Sequence, residues 1–195
     1  MPRPRSASHQ HTLERAMHAF WSAGFEATSM ADLVVATGST RQSIYGDFSS
    51  KQGLYRACFE LYRKRVVEPA LAPFYADATG LSAVTAYFEA QISLAESMGL
   101  PGPGCLVGNA MTERAPIDAE VMTLVEEHNT RLETAFAKAL PEQLSAERKR
   151  ELAQFLVVAA QGLWAVSRVT SSADALRSRA VTIVGLLERE LNHDA

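Results

Sequence analysis

The sequence predicts an all-α fold, because apolar residues recur every three or four positions and no stretch alternates apolar and polar residues as a half-buried strand does. Glycine and proline divide the chain into about nine helical segments. With 195 residues, 47% hydrophobic and 21% charged, the chain is long enough to bury a full core in one or two domains. We expect two: an N-terminal domain over 1–65 and a C-terminal domain over 66–195.

Two short capped helices are predicted over 29–48, after a first helix over about 9–23. The first helix has apolar residues at helical spacing, namely Leu13, Ala16, Met17 and Phe20, and Phe25 is expected to complete this core. Ser29 and Asp32 predict a capping box at the start of the second helix. Gly38 is expected to end it, since glycine adopts a positive φ at little cost.

The third helix is predicted to expose a polar face. Thr40 is expected to cap it, and Ile44 and Phe48, four residues apart, turn inward. Arg41, Gln42, Ser43 and Tyr45 are left facing outward. The nine residues from Thr40 to Phe48 make a helix about 13 Å long, which matches a DNA major groove about 12 Å wide. A second capping box, Ser49 with Gln52, is predicted to start a fourth helix over about 50–67.

Charge is unevenly divided along the chain. Residues 1–65 hold nine Lys and Arg against five acidic residues, a net of +4, whereas the remainder carries −7. A basic N-terminal domain on an acidic C-terminal one is expected if only the former meets phosphates. Arg3 and Arg5 lie in a Pro-, Arg- and Ser-rich arm, which is either a solvated tail or a minor-groove contact beside the third helix.

Residues from about 12 to 62 resemble the DNA-binding domain of the TetR family of transcriptional regulators. The matching residues are Ala23-Gly24-Phe25, Thr28-Ser29-Met30, Leu33, Thr37-Gly38-Ser39-Thr40, Ile44-Tyr45, Phe48, Ser50-Lys51 and Leu54-Tyr55. The sequence departs from the family pattern at Gln42, where glycine is frequent, and at Gly46-Asp47. The resemblance implies a helix-turn-helix whose second helix enters the major groove.

Candidate DNA contacts follow from the chemistry of the exposed side chains. Arg41 can donate two hydrogen bonds to guanine, and Gln42 can pair with adenine. Ser43 is a candidate for a base or a phosphate, and Thr40, Tyr45 and Lys51 for phosphates. Ser29, at the start of the second helix, completes the candidate set.

Five further helices are predicted over about 81–98, 104–115, 118–140, 145–170 and 173–192. The eighth helix is apolar nearly all round between Phe155 and Val166, so most of its sides must be covered. We therefore predict a homodimer in which the eighth and ninth helices pack against their two-fold mates, as the TetR resemblance also implies.

The resemblance further implies a ligand cavity among helices five to eight. Candidate lining residues combine apolar or aromatic surface with a few polar groups: Phe88, Gln91, Cys105, Asn109, Met111, His128, Gln161 and Trp164. The alternative for His128 and Gln161 is a hydrogen-bonded core position, and for Trp164 packing at the dimer interface. Cys105 is either a thiol activated near a helix start or an inert buried one.

Together these observations predict a cytoplasmic regulator, most simply a repressor released from a palindromic operator by a small molecule. No metal site, cofactor or catalytic motif is predicted, and no apolar run reaches the roughly 18 residues needed to span a bilayer. Two alternatives remain open: a small thiol-dependent hydrolase built on Cys105, and a ligand carrier that does not bind DNA.

Overall fold

The computed structural model describes residues 5–76 and 80–193, without the side chains of residues 5–8, so the proposed contacts of Arg3 and Arg5 lie outside the described part. Within it the chain is all-helical, which confirms the predicted fold class. We number nine helices: α1 Arg5–Ala23, α2 Met30–Thr37, α3 Arg41–Phe48, α4 Lys51–Tyr62 continued by Arg63–Val67 and Glu68–Leu71, α5 Leu81–Met98, α6 Leu106–Glu113, α7 Ala119–Ala139, α8 Ala146–Ser167 and α9 Ala173–His193. None of these is long and apolar enough to cross a membrane.

The caps around α2 and α3 are those that the sequence predicts. The Ser29 hydroxyl accepts from the Asp32 N–H at 3.1 Å, and the Asp32 carboxylate accepts from the Ser29 N–H at 2.8 Å. Gly38 ends α2 with a φ of 65°, where an L side chain would be strained. Thr40 caps α3 by accepting the Ser43 N–H at 3.1 Å. These caps fix the angle at which α3 leaves the turn.

The predicted capping box of Ser49 and Gln52 is wrong. Ser49 adopts a φ of 65° and closes α3, with its N–H donating to the Tyr45 carbonyl at 2.8 Å. Ser50 is the N-cap of α4, and its hydroxyl accepts the Gly53 N–H at 2.9 Å. Because α3 ends through a left-handed residue, the extended conformation that an N-cap needs moves one position along the chain.

Helix α4 continues beyond its predicted end near residue 67. It passes through a π turn over Arg63–Val67, in which the Glu68 N–H donates to the Arg63 carbonyl, and then continues over Glu68–Leu71. Proline cannot donate a backbone hydrogen bond, and the wider turn accommodates it without ending the helix. The predicted domain boundary at residue 65 therefore falls inside this π turn.

One continuous apolar core runs from the N-terminal helices into the C-terminal ones. In the N-terminal part, the rings of Phe20 and Phe25 each pack against Tyr55 at 4.9 Å between centroids. In the C-terminal part, α7 packs on α8 and α5 packs on α9. On α7, the side chains of His128 and Phe136 are both buried in this core.

Candidate nucleic-acid interface and ligand cavity

The outer face of α3 is polar and open. Ile44 and Phe48 are buried beneath it, while the side chains of Thr40, Arg41, Gln42, Ser43 and Tyr45 are exposed. Arg41 and Gln42 make no side-chain hydrogen bond to any residue in the described part of the chain. The Arg41 guanidinium lies 5.7 Å from the centroid of the Tyr45 ring. The donors on this face are therefore free for an external partner.

The other two candidate contacts are engaged within the protein. The Lys51 ammonium lies over the Phe25 ring at 4.1 Å from its centroid, and burial lowers the pKa of Lys51 against the opposing effect of Glu26 and Glu113. The Ser29 hydroxyl donates to the Asp32 carboxylate at 2.6 Å. A phosphate would have to draw Lys51 from the ring, whereas Ser29 offers mainly its exposed position at the start of α2.

The end of α3 lies against α1, a contact that the sequence did not indicate. The His9 ring stacks on Phe48 with 4.7 Å between centroids, and its Nδ1 is 3.6 Å from the Asp47 carboxylate. His9 and Phe48 are far apart in sequence, and the residues around His9 are polar, as in a solvated tail. The sequence therefore did not indicate that they meet. This contact fixes α3 at its C-terminal end, away from Arg41 and Gln42.

Glu113, at the end of α6, joins the C-terminal helices to the turn between α1 and α2. Its carboxylate accepts the backbone N–H groups of Phe25 and Glu26, each at 2.9 Å. The neighbouring Arg114 donates to Glu26 at 2.6 Å and to Asp118 at 3.2 Å, and its guanidinium lies 4.5 Å from the Phe25 ring centroid. Phe25 therefore packs against cations from both α4 and the end of α6.

A cavity of about 20 Å³, which we call the Trp21 cavity, lies between α1, α4, α5, α7 and α8. Its lining comprises Trp21, Tyr62, Val67, Tyr87, Gln91, Leu94, Ala95, Met98, Pro103, Gly104, Cys105, His128, Leu132, Trp164 and Ser167. The Trp21 indole N–H donates to the Gly104 carbonyl at 2.8 Å, and its ring meets Tyr62 edge-on at 4.9 Å. Helix α1, which packs against both α2 and α4, thus forms one wall of the cavity.

The predicted ligand residues separate into three groups. Gln91, Cys105, His128 and Trp164 line the Trp21 cavity. Asn109, Met111 and Gln161 line a different, more open groove of about 390 Å³ between α6 and α8, to which Cys105 and Trp164 also contribute. Phe88 is buried in the core beside Tyr87 and Trp164.

Asn109 and Gln161 are held by their neighbours. The Asn109 amide donates to the Pro103 carbonyl at 2.8 Å and to the Trp21 carbonyl at 3.4 Å, so it ties α1 to the connector before α6. The Gln161 amide donates to Asn129 at 3.2 Å, and its own carbonyl oxygen is buried without a partner among the described residues.

Sequence reasoning missed Trp21, Tyr62 and Tyr87 as cavity residues. Each lies at a helical spacing that is equally typical of a packed core position. Only the way α1 and α4 approach α5 and α8 brings these rings to one cavity.

Cys105 is buried, and this environment disfavours its charged thiolate form. Burial raises the pKa of its thiol, and this outweighs the stabilising N–H groups at the start of α6, so the expectation of an activated thiol is not supported. The sulfur accepts from the Gly108 N–H at 3.4 Å and from the Tyr62 hydroxyl at 3.6 Å, and neither partner is a general base. This geometry offers no support for the thiol-hydrolase alternative.

Comparison with known proteins identifies the fold. The family described as bacterial regulatory proteins, tetR family, matches residues 13–58. The HTH-type transcriptional repressor ComR of Escherichia coli K12 is 29% identical over 191 residues, covering 94% of this chain and 90% of ComR. A cysteine-substituted CifR, a TetR family regulator solved with a 26-bp operator duplex, superposes with a TM-score of 0.78 at 21% identity, covering 90% of this chain and 94% of CifR.

Residues 13–58 of this chain match the TetR family. A TetR regulator from Chloroflexus aurantiacus shares the fold over 96% of this chain and 97% of its own, with a TM-score of 0.80 at 19% identity. The match over 13–58 covers the helix-turn-helix, from α1 to within α4. The Trp21 cavity and Glu113 lie where that domain meets the C-terminal helices.

Proposed function

We propose that this TetR-family transcription regulator is a homodimeric repressor that binds a palindromic operator through α3 and is released by a small molecule bound in the Trp21 cavity. The observation that carries the proposal is the outer face of α3, where Arg41 and Gln42 are exposed and make no side-chain hydrogen bond to the described part of the chain. ComR is named a repressor and CifR was solved on operator DNA, which supports the same role here.

On DNA, Arg41 and Gln42 would read base edges in the major groove. An Arg on guanine and a Gln on adenine each contribute about 1–3 kcal/mol of discrimination against the wrong base. Thr40, Ser43 and Tyr45 flank them and would bind phosphates, which fix the register of the protein on the duplex. Lys51 and Ser29 would approach the backbone from the starts of α4 and α2.

The C-terminal helices expose an apolar stripe suited to a two-fold mate. Four exposed residues of α8 recur at spacings of three and four, namely Phe155, Val158, Gly162 and Ala165, and the exposed Val169 follows in the turn after the helix. Val181 and Leu186 on α9 are also exposed. Apolar residues at this spacing form the contact face of paired helices, and glycine and alanine within it allow close approach. The stripe supports dimerisation through α8 and α9, which would present two copies of α3 to one duplex.

Release by a ligand would follow from the size and position of the Trp21 cavity. At about 20 Å³ it holds about one water molecule, so any organic ligand must displace its walls. Trp21 of α1 and Tyr62 of α4 line the cavity, and so does Cys105 at the start of α6. The other end of α6 carries Glu113. Ligand entry would therefore shift the helices that set the position of α3. A protein with this role works in the cytoplasm, where chromosomal DNA is.

The DNA-binding proposal is tested with duplexes selected from a random library. Duplexes that bind the wild-type protein are enriched first, and gel shifts then compare wild type with Arg41→Ala and Lys149→Ala. Both variants lose one positive charge, but Lys149 lies on α8, away from α3. We expect Arg41→Ala to lose about tenfold or more in affinity for the selected duplex, and Lys149→Ala to bind nearly as wild type. Equal affinities for all three proteins, or no enrichment at all, would contradict the proposal.

A further inference from the structure

The walls of the Trp21 cavity carry no formal charge. None of the residues that line it in the described part of the chain is Asp, Glu, Lys or Arg. Four aromatic rings, Trp21, Tyr62, Tyr87 and Trp164, supply much of the surface, and the rest is mainly aliphatic. An ion transferred into such a site without a counter-charge loses several kcal/mol of hydration free energy that nothing replaces.

The groups in the wall that are able to ionise are held neutral at pH 7. His128 is buried, which lowers its pKa to about 4, with Arg131 contributing in the same direction. Burial raises the pKa of the Cys105 thiol and of the Tyr62 and Tyr87 hydroxyls. Neither an anion nor a cation would therefore find an opposite charge inside the cavity.

Two polar side chains in the wall have hydrogen-bonding capacity to spare. His128 and Gln91 make no side-chain hydrogen bond to any residue that the structure describes. The Ser167 and Tyr62 hydroxyls are occupied, since Ser167 donates to the Trp164 carbonyl at 2.8 Å and Tyr62 donates to the Cys105 sulfur. A buried imidazole without a partner is satisfied by a ligand that presents a hydroxyl or carbonyl group to it.

We propose that the effector is a small uncharged molecule with an aromatic or hydrocarbon body and one hydroxyl or carbonyl group, and that His128 is its polar anchor. This inference rests on the proposed function only in taking the Trp21 cavity as the effector site. Flexible side chains at the wall, such as Met98 and Leu94, are only partly buried and would move to admit the aromatic body.

The chain carries its own reporter for the test. It has two tryptophans, and both, Trp21 and Trp164, line the cavity, so quenching of intrinsic fluorescence reports occupancy directly. DNA-free protein at pH 7 is titrated with three probes of similar size: benzyl alcohol, benzoate and benzylammonium. We expect saturable quenching by benzyl alcohol, and binding about tenfold weaker or worse for both ions. Ions that bind as tightly as the alcohol, or an alcohol that does not saturate, would overturn the proposal.

The anchoring role of His128 is tested separately by comparing benzyl alcohol with toluene, which lacks the polar group. His128→Leu should weaken the binding of benzyl alcohol several-fold and leave the binding of toluene unchanged or tighter. His193→Leu, the same change at an exposed position near the end of α9, should change neither. If His128→Leu weakens the binding of benzyl alcohol and toluene equally, the residue only shapes the cavity, and its assignment as anchor is overturned.

Failure of this inference is distinguishable from failure of the proposed function. Titrations use protein without DNA, and operator selectivity is measured on the same preparations by gel shift. If the protein binds DNA selectively but prefers the charged probes, the proposed class of effector is contradicted and the repressor role is not. If the wild type binds benzyl alcohol but shows no selective DNA binding, the repressor role is contradicted and the proposed class of effector is not.

Discussion

The carboxylate of Glu113 accepts the backbone N–H of Phe25 at 2.9 Å, and through this bond the last turn of α6 holds the loop that leads into the helix-turn-helix. The same carboxylate also accepts the N–H of Glu26. The other end of α6 is capped by Cys105, in the wall of the Trp21 cavity. One short helix therefore contacts both the candidate ligand site and the N-terminal domain.

Replacing Glu113 by Gln tests the strength of this connection. An amide oxygen accepts more weakly than a carboxylate and leaves one N–H poorly satisfied, so we expect a loss of about 1–3 kcal/mol in the free energy of unfolding. Urea titration monitored by circular dichroism measures it. Glu126→Gln, at an exposed position on α7, should stay within about 0.5 kcal/mol of wild type. Equal stability of the two variants would mean that the Glu113 bonds contribute nothing.

Replacing Lys51 is expected to change the salt dependence of DNA binding, whereas replacing Arg41 is expected to change its sequence preference. Lys51→Met should weaken binding to selected and random duplexes alike, and reduce the slope of log K against log salt concentration by about one unit per protomer. Lys51→Arg should restore the slope, because the charge returns. A Lys51→Met variant that keeps the wild-type slope would show that the ammonium stays over Phe25 when DNA binds.

The exposed stripe on α8 predicts the oligomeric state. Val158→Arg places a charge in the centre of the proposed interface and should yield monomers at micromolar concentration, measured by sedimentation velocity. Val35→Arg is a matched control, because Val35 is similarly exposed, at 82% against 71% for Val158, but lies on α2. A dimer in both variants, or a monomeric wild type, would contradict dimerisation through α8.

Stability should depend on pH through His128. Its pKa is about 4 in the folded protein and 6.5 when unfolded, so the unfolded chain binds the proton more readily between these values. Stability is therefore lost as the pH falls through this window, by about 2 kcal/mol between pH 7.5 and pH 5. Free energies of unfolding from urea titrations at pH 7.5 and pH 5 should show this loss in wild type. In His128→Asn the loss between the two pH values should be smaller by about 2 kcal/mol. An identical pH dependence in the variant would exclude His128 as its source.

Much of the helix-turn-helix could be predicted because its determinants are local. Ser29 with Asp32, the glycine at position 38, and the inward pair Ile44 and Phe48 act within a few residues of one another. The error at Ser49 has a local cause too, since which of two adjacent serines caps α4 depends on how α3 ends. Helix α4 runs past its predicted end near residue 67, because a helix is able to accommodate a proline through a π turn as well as to end before it.

The cavity was predicted less completely because its walls come from helices far apart in sequence. Gln91, Cys105, His128 and Trp164 were found by their polar or aromatic character among apolar neighbours. Trp21 and Tyr62 share the periodicity of ordinary core residues, and the hydrogen bond from Trp21 to Gly104 joins positions 83 residues apart. Glu113 gave no signal either, since its partners are backbone groups of a distant turn.

The most direct test of the account is the base preference of α3 itself. Sequence selection is run in parallel for wild type, Arg41→Ala and Gln42→Ala, and the enriched motifs are compared. We expect a palindromic motif for wild type, with one symmetric pair of positions losing its base preference in each variant and the other positions unchanged. Identical motifs from all three proteins would contradict the claim that this helix reads DNA.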